Sequence, residues 1–273
     1  MTATKRAAVL GSPIAHSLSP ALHRAAYRKL GLDWTYDAID VPKDQFTRVL
    51  AELLTDPSLV GLSVTMPLKE LALAAAQEAT VIARQTQAAN TLIVGANSLS
   101  TDNTDPDGII WALTRAGLAG RVSHAGIIGA GATARSAVAA LTKLGAHTLY
   151  VVARRPEAIA ELSKVAESFG ARVVPTAWDA PEDVLAAPVV VSTVPGRAAD
   201  DLAHAVGSQP GVLLDVVYAP WPTVLATAWR DNGGAVASGL EMLVGQAGRQ
   251  VELMTGLQPP MEAMLAAGIA AQL

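Results

Sequence analysis

The chain has 273 residues, 51% of them hydrophobic and 16% charged, with a formal net charge of -4 and no cysteine. That is apolar material for two modest cores and too little basic charge for a nucleic-acid groove or an anionic membrane surface, so the expected partner is a small molecule. Without cysteine, disulfides, thiolate metal sites and a cysteine nucleophile are excluded. The five histidines are scattered, and the nearest pair, His16 and His23, has no acidic companion, so no metal site is expected. The opening MTATKRAAVLGSP is too short in apolar residues for a signal peptide, and prolines break the longer apolar stretches. A soluble, cytoplasmic protein is the expectation.

Residues 7–10 form a short apolar run closed by Gly11 and Pro13, and read as a strand. ALHRAAYRKL follows as a helix stopped by Gly31, with Ser19 suited to its N-cap and Pro20 to its first position. A second strand covers residues 34–39. From Pro42, the apolar residues Phe46, Val49, Leu50, Leu53 and Leu54 fall on one helical face, and residues 59–64 make a third strand. Strand and helix alternate, as in an α/β layer. After Thr65-Met66-Pro67-Leu68 comes Lys69, in the first turn of a new helix where the dipole disfavours a cation; a solvated surface lysine is the ordinary alternative to a functional one. Residues 91–94 and 98–101 read as two strands around Gly95-Ala96-Asn97, ended by the polar run from Thr101 to Asp105.

A helix over residues 106–116 leads into GIIGAGATAR, residues 126–135, where an apolar run stops in two glycines and an alanine-rich helix begins. Gly129 and Gly131 suit a tight turn that lets the backbone, and the unpaired N–H groups of the next helix, approach a pyrophosphate. The third small position is Thr133 or Ala134 rather than glycine. The helix over residues 132–144 and a strand over 148–152 complete a βαβ unit. An acidic residue at that strand's end would take the ribose 2′-OH of NAD; Ala153-Arg154-Arg155 stand there instead, and two guanidiniums favour NADP(H). Residues 188–191 are apolar throughout, as a strand covered on both faces should be. Ser192-Thr193-Val194-Pro195 leave its carboxyl end, where ligands of such sheets bind. Residues 211–217 repeat the pattern and run into Tyr218. Gly239 opens a long helix, and a last one follows Pro259-Pro260.

In order and spacing these segments resemble the shikimate dehydrogenase family over nearly the whole chain. Gly11 to Pro20, GSPIAHSLSP, is similar to the family's loop whose serines hold the substrate carboxylate, here Ser17 and Ser19. VTMPLK matches its VTxPxK segment, which implies a catalytic Lys69 and a substrate-binding Thr65. Asn90 resembles the substrate asparagine, and Asn103-Thr104-Asp105 with Gly108 the NTDxxG segment, whose aspartate, Asp105, partners the lysine. Tyr218 and Gln246 match further substrate ligands. The implied cofactor residues are Gly129, Ala130, Gly131, Ala132, Thr133 and Arg154, with Gly239 and Met242 near the nicotinamide; Arg155 beside Arg154 and Thr193 at the end of its strand are added to them from the pattern read above. The family commonly has Asn where Ser63 stands, Gly where Gln87 stands, Asn or Ser where Ala153 stands, and Pro where Val224 stands.

The resemblance implies an α/β substrate domain of residues 1–105 with 239–273, a Rossmann-type doubly wound NADP-binding domain of residues 106–238, and an active site in the cleft between. The implied reaction is NADPH-dependent reduction of 3-dehydroshikimate to shikimate by a monomer or homodimer. A quinate or quinate/shikimate dehydrogenase shares the scaffold, but Arg154 and Arg155 argue against its use of NAD. A dinucleotide-sensing regulatory protein without chemistry is opposed by the intact Lys69 and Asp105.

Overall fold

In the structure, a computed structural model that describes residues 4–272, each half of the chain builds its own six-stranded sheet. The residues up to Thr104 and those from Gln246 onward form one unit, and Asp105–Gly245 the other. The first unit runs β1 (Lys5–Gly11), α1 (Ser19–Leu30), β2 (Trp34–Asp40), α2 (Phe46–Leu53), β3 (Leu59–Val64), α3 (Lys69–Ala75), β4 (Glu78–Ala79), α4 (Val81–Thr86), β5 (Thr91–Val94) and β6 (Leu99–Asp102). The second runs α5 (Asp105–Arg115), β7 (His124–Ile128), α6 (Ala132–Lys143), β8 (Thr148–Val152), α7 (Pro156–Ser168), β9 (Arg172–Thr176), α8 (Glu182–Leu185), β10 (Val189–Ser192), β11 (Val212–Asp215), α9 (Val224–Asp231) and β12 (Ala235–Ser238). The boundary back to the first unit falls inside α10 (Gly239–Thr255), and α11 (Met261–Ala270) closes the chain.

The first sheet has the order β2-β1-β3-β5-β6-β4. Its β1 is parallel to both neighbours, and the sheet turns antiparallel at β5. Leu10, Leu62, Val64 and Leu92 from the strands pack with Phe46 and Leu50 of α2 and Ala72 of α3 in one buried core. This is the helical face read from Phe46 and Leu50, and its burial is what holds α2 on the sheet.

The second sheet is parallel throughout, in the order β12-β11-β10-β7-β8-β9. Counted from β7 this is the 3-2-1-4-5-6 order of a doubly wound dinucleotide fold, with its reversal between β7 and β10. All four residues of β10 are buried, as the apolar run predicts. The alanines of α6, Ala134, Ala137 and Ala140, are fully buried with Val138 and Leu141, small side chains that seat the helix against the sheet core.

Two sequence readings change. Ser19 does not cap α1: Leu18 holds the N-cap position with no side-chain bond, and Ser19 lies inside the first turn, its N–H donating to Ser17 Oγ at 3.3 Å. The N–H groups that a Ser19 cap would serve, those of Ala21 and Leu22, donate instead to Leu18 O at 3.0 and 3.2 Å. The helix from Pro42 begins as a 3-10 turn, Lys43–Gln45, before α2. Among the described residues no helix is long and apolar enough to cross a membrane.

Val224 is the first residue of α9, where proline is favoured because the N–H has no helical partner. The preceding Thr223 is already extended, φ -75° and ψ 166°, as a residue before proline must be. Val224→Pro is expected to raise stability by about 0.4 to 1 kcal/mol, through the unfolded chain. A urea midpoint that falls instead would show that the Val224 N–H or side chain matters in the folded state.

Candidate active site

In the first unit the chain gathers several candidates at the carboxyl ends of β1 and β3. Gly11 ends β1, and the loop after it runs beside the loop after β3: Ser12 N donates to Met66 O at 3.1 Å, and Thr65 N to Leu10 O at 2.9 Å. Asp40, at the end of β2, accepts from Ser12 Oγ at 2.8 Å and from Ile14 N at 3.2 Å, which fixes the start of the serine loop. Ser17 is half-buried and Ser19 buried, and neither hydroxyl donates to a partner among the described residues. Two such donors suit a carboxylate, each bond contributing roughly 1.5 to 3 kcal/mol when one partner is charged.

Lys69 is the first residue of α3 and half-buried, a position in the helix where the dipole disfavours a cation. Its backbone oxygen accepts from Ala89 N at 3.0 Å, so the segment carrying Asn90 is tied to the lysine's own turn. Asn90 is 2% exposed and donates from Nδ2 to Gln246 Oε1 at 3.2 Å. Thr91 Oγ1 donates to Asn90 Oδ1 at 2.8 Å, as do Thr104 N at 2.8 Å and Thr104 Oγ1 at 3.1 Å.

In the second unit the glycine turn sits at the reversal of strand order. Gly129 has φ 103°, a conformation that suits glycine, and a Cβ there would collide with Thr193 Oγ1. Thr193 bonds back to the same place: its N and its Oγ1 both donate to Ile128 O, at 2.8 and 2.9 Å. Gly131 is the extended N-cap of α6, which has no side-chain cap, so the first N–H groups of Ala132, Thr133 and their neighbours face outward as donors. Ala130, Ala132 and Thr133 are half-buried around this turn.

Arg154 and Arg155 follow β8 and are exposed. Arg154 Nη2 donates to Ala198 O at 2.8 Å, and its guanidinium lies 5.1 Å from the centre of the Trp178 ring. Arg155 is the backbone N-cap of α7. Tyr218 stands in the loop after β11, with its hydroxyl pKa raised by burial. That loop is strapped by Thr223, whose Oγ1 donates to Asp215 Oδ2 at 2.7 Å while accepting from Ala226 N at 3.0 Å. Asp215 is itself held above the usual carboxylate range by burial, the bonds from Thr223 and Val217 opposing that shift. Gly239 leaves no room for a Cβ against Val216 O, and Met242 packs into the sheet core. Asp105 is buried as the first residue of α5, a favourable place for a carboxylate, and accepts a long bond from Ser136 Oγ at 3.5 Å.

Among the described residues, Gln250, His23 and Trp178 are side chains around the site that lie outside the candidates read from sequence. Gln250 donates to Asn90 O at 3.1 Å, His23 bonds to Gln250, and Trp178 lies under Arg154. Of these only Gln250 has a local signal, standing four residues after Gln246 and so on the same helix face.

The glycine-turn donors and the exposed guanidinium make a donor set that fits a phosphorylated dinucleotide. Residues 9–92 match the family model for the shikimate dehydrogenase substrate binding domain, and residues 239–267 the one for the shikimate 5'-dehydrogenase C-terminal domain. Residues 124–218, from β7 to Tyr218, match a model described as NADP oxidoreductase, coenzyme F420-dependent. A curated shikimate dehydrogenase (NADP(+)) of Rhodopseudomonas palustris is 36% identical over 280 residues, covering 100% of this chain and 99% of that protein. The crystal structure of Mycobacterium tuberculosis shikimate dehydrogenase is 44% identical, with a TM-score of 0.90 over 97% of this chain and 99% of that one. The Thermus thermophilus shikimate 5-dehydrogenase in complex with NADP(H) and shikimate is 33% identical, with a TM-score of 0.86 over 98% of this chain and 99% of that one. With a first unit in which the turn of Lys69 is bonded to the segment of a buried asparagine–glutamine pair and a second sheet wound for a dinucleotide, the chain belongs to the shikimate dehydrogenase family.

Proposed function

We propose that this chain catalyses the NADPH-dependent reduction of 3-dehydroshikimate to shikimate and the reverse oxidation. The observation that carries the reading is the first unit's cluster, in which the turn of Lys69 is bonded to the segment of Asn90 and Asn90 to Gln246. Bound NADPH supplies a hydride to the ketone carbon. Negative charge then builds on the ketone oxygen, and Lys69 gives that oxygen a proton, so that one hydride and one proton convert C=O to CH–OH. Asp105 is the acidic partner that balances the lysine's charge. Asn90, Gln246 and Thr65 orient the ring hydroxyls, while Ser17, Ser19 and Tyr218 donate to the carboxylate. The first turn of α6 with Gly129 and Gly131 receives the pyrophosphate, and Arg154 and Arg155 the 2′-phosphate. Thr193, Gly239 and Met242 line the nicotinamide end. The cytoplasm is its proposed place of work, in keeping with a chain that has no thiol to oxidise.

The test is turnover with shikimate or quinate against NADP or NAD, followed by the absorbance of the reduced nicotinamide. Shikimate with NADP is expected to give the highest kcat/KM. Turnover with none of the four pairs would sink the enzyme reading, and quinate with NAD winning would select the rival dehydrogenase. In the same assay Arg154→Ala is expected to raise KM for NADP by roughly ten- to hundredfold, the loss of a charged hydrogen bond, and to leave NAD nearly unchanged. Equal effects on both cofactors would remove Arg154 from the 2′-phosphate.

A further inference from the structure

A line of buried hydrogen bonds in the first unit ends on the side chains assigned above to substrate. Tyr36 Oη donates to Ser63 Oγ at 2.6 Å, and Ser63 Oγ to Gln250 Oε1 at 2.7 Å. Gln250 Nε2 donates to Thr91 Oγ1 at 3.0 Å, Thr91 Oγ1 to Asn90 Oδ1 at 2.8 Å, and Asn90 Nδ2 to Gln246 Oε1 at 3.2 Å. Every member is buried. Two backbone groups set the direction of the line because neither can exchange donor for acceptor. Asn90 O accepts from Gln250 Nε2 at 3.1 Å, which fixes that amide's nitrogen toward β5. Thr104 N donates to Asn90 Oδ1, which fixes the asparagine's oxygen and turns its N–H edge to Gln246. Since Gln250 Oε1 only accepts, the neutral His23 must carry its proton on Nε2, 3.2 Å away.

Gln246 and Gln250 occupy successive turns of α10 and grip the same dipeptide from two sides. Gln246 takes the Asn90 side chain, and Gln250 takes the Asn90 backbone oxygen and the Thr91 hydroxyl. We propose that Gln250 is a positioning residue for substrate binding, which fixes the register of α10 on the Asn90-Thr91 segment so that Gln246 and the Asn90 amide are offered to one substrate together. This rests on the proposed function in giving Asn90 and Gln246 to the substrate. Gln250 touches no substrate and acts through both.

The measurements are the Kd of shikimate and of NADP for wild type, Gln250→Met, Gln250→Glu, Thr91→Val and the Gln250→Met/Thr91→Val double variant. Gln250→Met keeps the volume and loses the bonds. Gln250→Glu keeps the acceptor for Ser63 and His23 and loses the N–H donors. Each single change is expected to raise the shikimate Kd about tenfold with NADP binding unchanged, because buried partners are left unmade. The double variant is expected to do no worse than the weaker-binding single one, the mark of residues acting through one chain of bonds. A shikimate Kd within about twofold of wild type in either folded glutamine variant would overturn the proposal, and so would effects that multiply fully in the double variant. Equal weakening of NADP binding would reduce Gln250 to general structural support. If the wild-type protein itself bound no shikimate, the proposed function would fall, and this inference with it.

Discussion

Lys69→Ala is expected to lower kcat by about 10²- to 10⁴-fold, the usual worth of a general acid, while the protein still binds NADP and shikimate. The expectation comes from position as much as from motif. Lys69 is the first residue of α3, where the helix dipole opposes its charge, and its own backbone oxygen holds the segment that carries Asn90. A lysine placed there for solubility would sit more favourably at the other end of the helix. Single-turnover kinetics with saturating cofactor isolate the chemical step. A kcat close to wild type in a folded Lys69→Ala protein would return the residue to a surface role and leave the general acid unassigned.

Acid is expected to weaken the fold through His23. Its ring is fully buried, stacked on Tyr36 at 4.0 Å between centroids, and burial lowers its pKa from 6.5 to about 3, the bond to Gln250 only partly opposing. The folded state therefore excludes a proton that the unfolded chain accepts. With a depressed pKa on a basic group, the contribution is complete above pH 6.5 and is lost as pH falls toward 3. The slope is about 1.4 kcal/mol per pH unit, so roughly 2 kcal/mol disappears between pH 6.5 and pH 5. Urea titrations at those two values should show the loss in wild type and its absence in His23→Phe, which keeps an aromatic stack. Equal losses in both proteins would mean that His23 does not set the slope.

Much of this fold can be read from local pattern, and the exceptions have physical causes. The apolar runs of β7, β8 and β10 are strands buried on both faces, and the glycine turn after β7 needs its special backbone angle, so both leave direct marks in the sequence. The edge strand β9 does not: it is half-exposed, contains Pro175, and alternates no clear apolar face. The two residues of β4 and the six of α4 are too short to show a period. Ser19 misleads because serine before proline at a helix start is an ordinary cap, and only the structure shows Ser17 taking its N–H. Several candidate side chains are legible as motifs because they stand in short family-like strings, such as VTMPLK or NTD. Their supports are not legible. His23 and Gln250 meet across 227 positions, and Trp178 reaches Arg154 from the far side of β9, pairings that no local window contains.

The clamp on Arg154 bears on how tightly the enzyme would take its cofactor. A free arginine carries roughly 2 kcal/mol of rotamer entropy that an incoming anion must ordinarily remove. Here the ring of Trp178 and the carbonyl of Ala198 hold the guanidinium. Much of that loss would be absorbed during folding, and the charge proposed above for the 2′-phosphate would meet its anion preorganised.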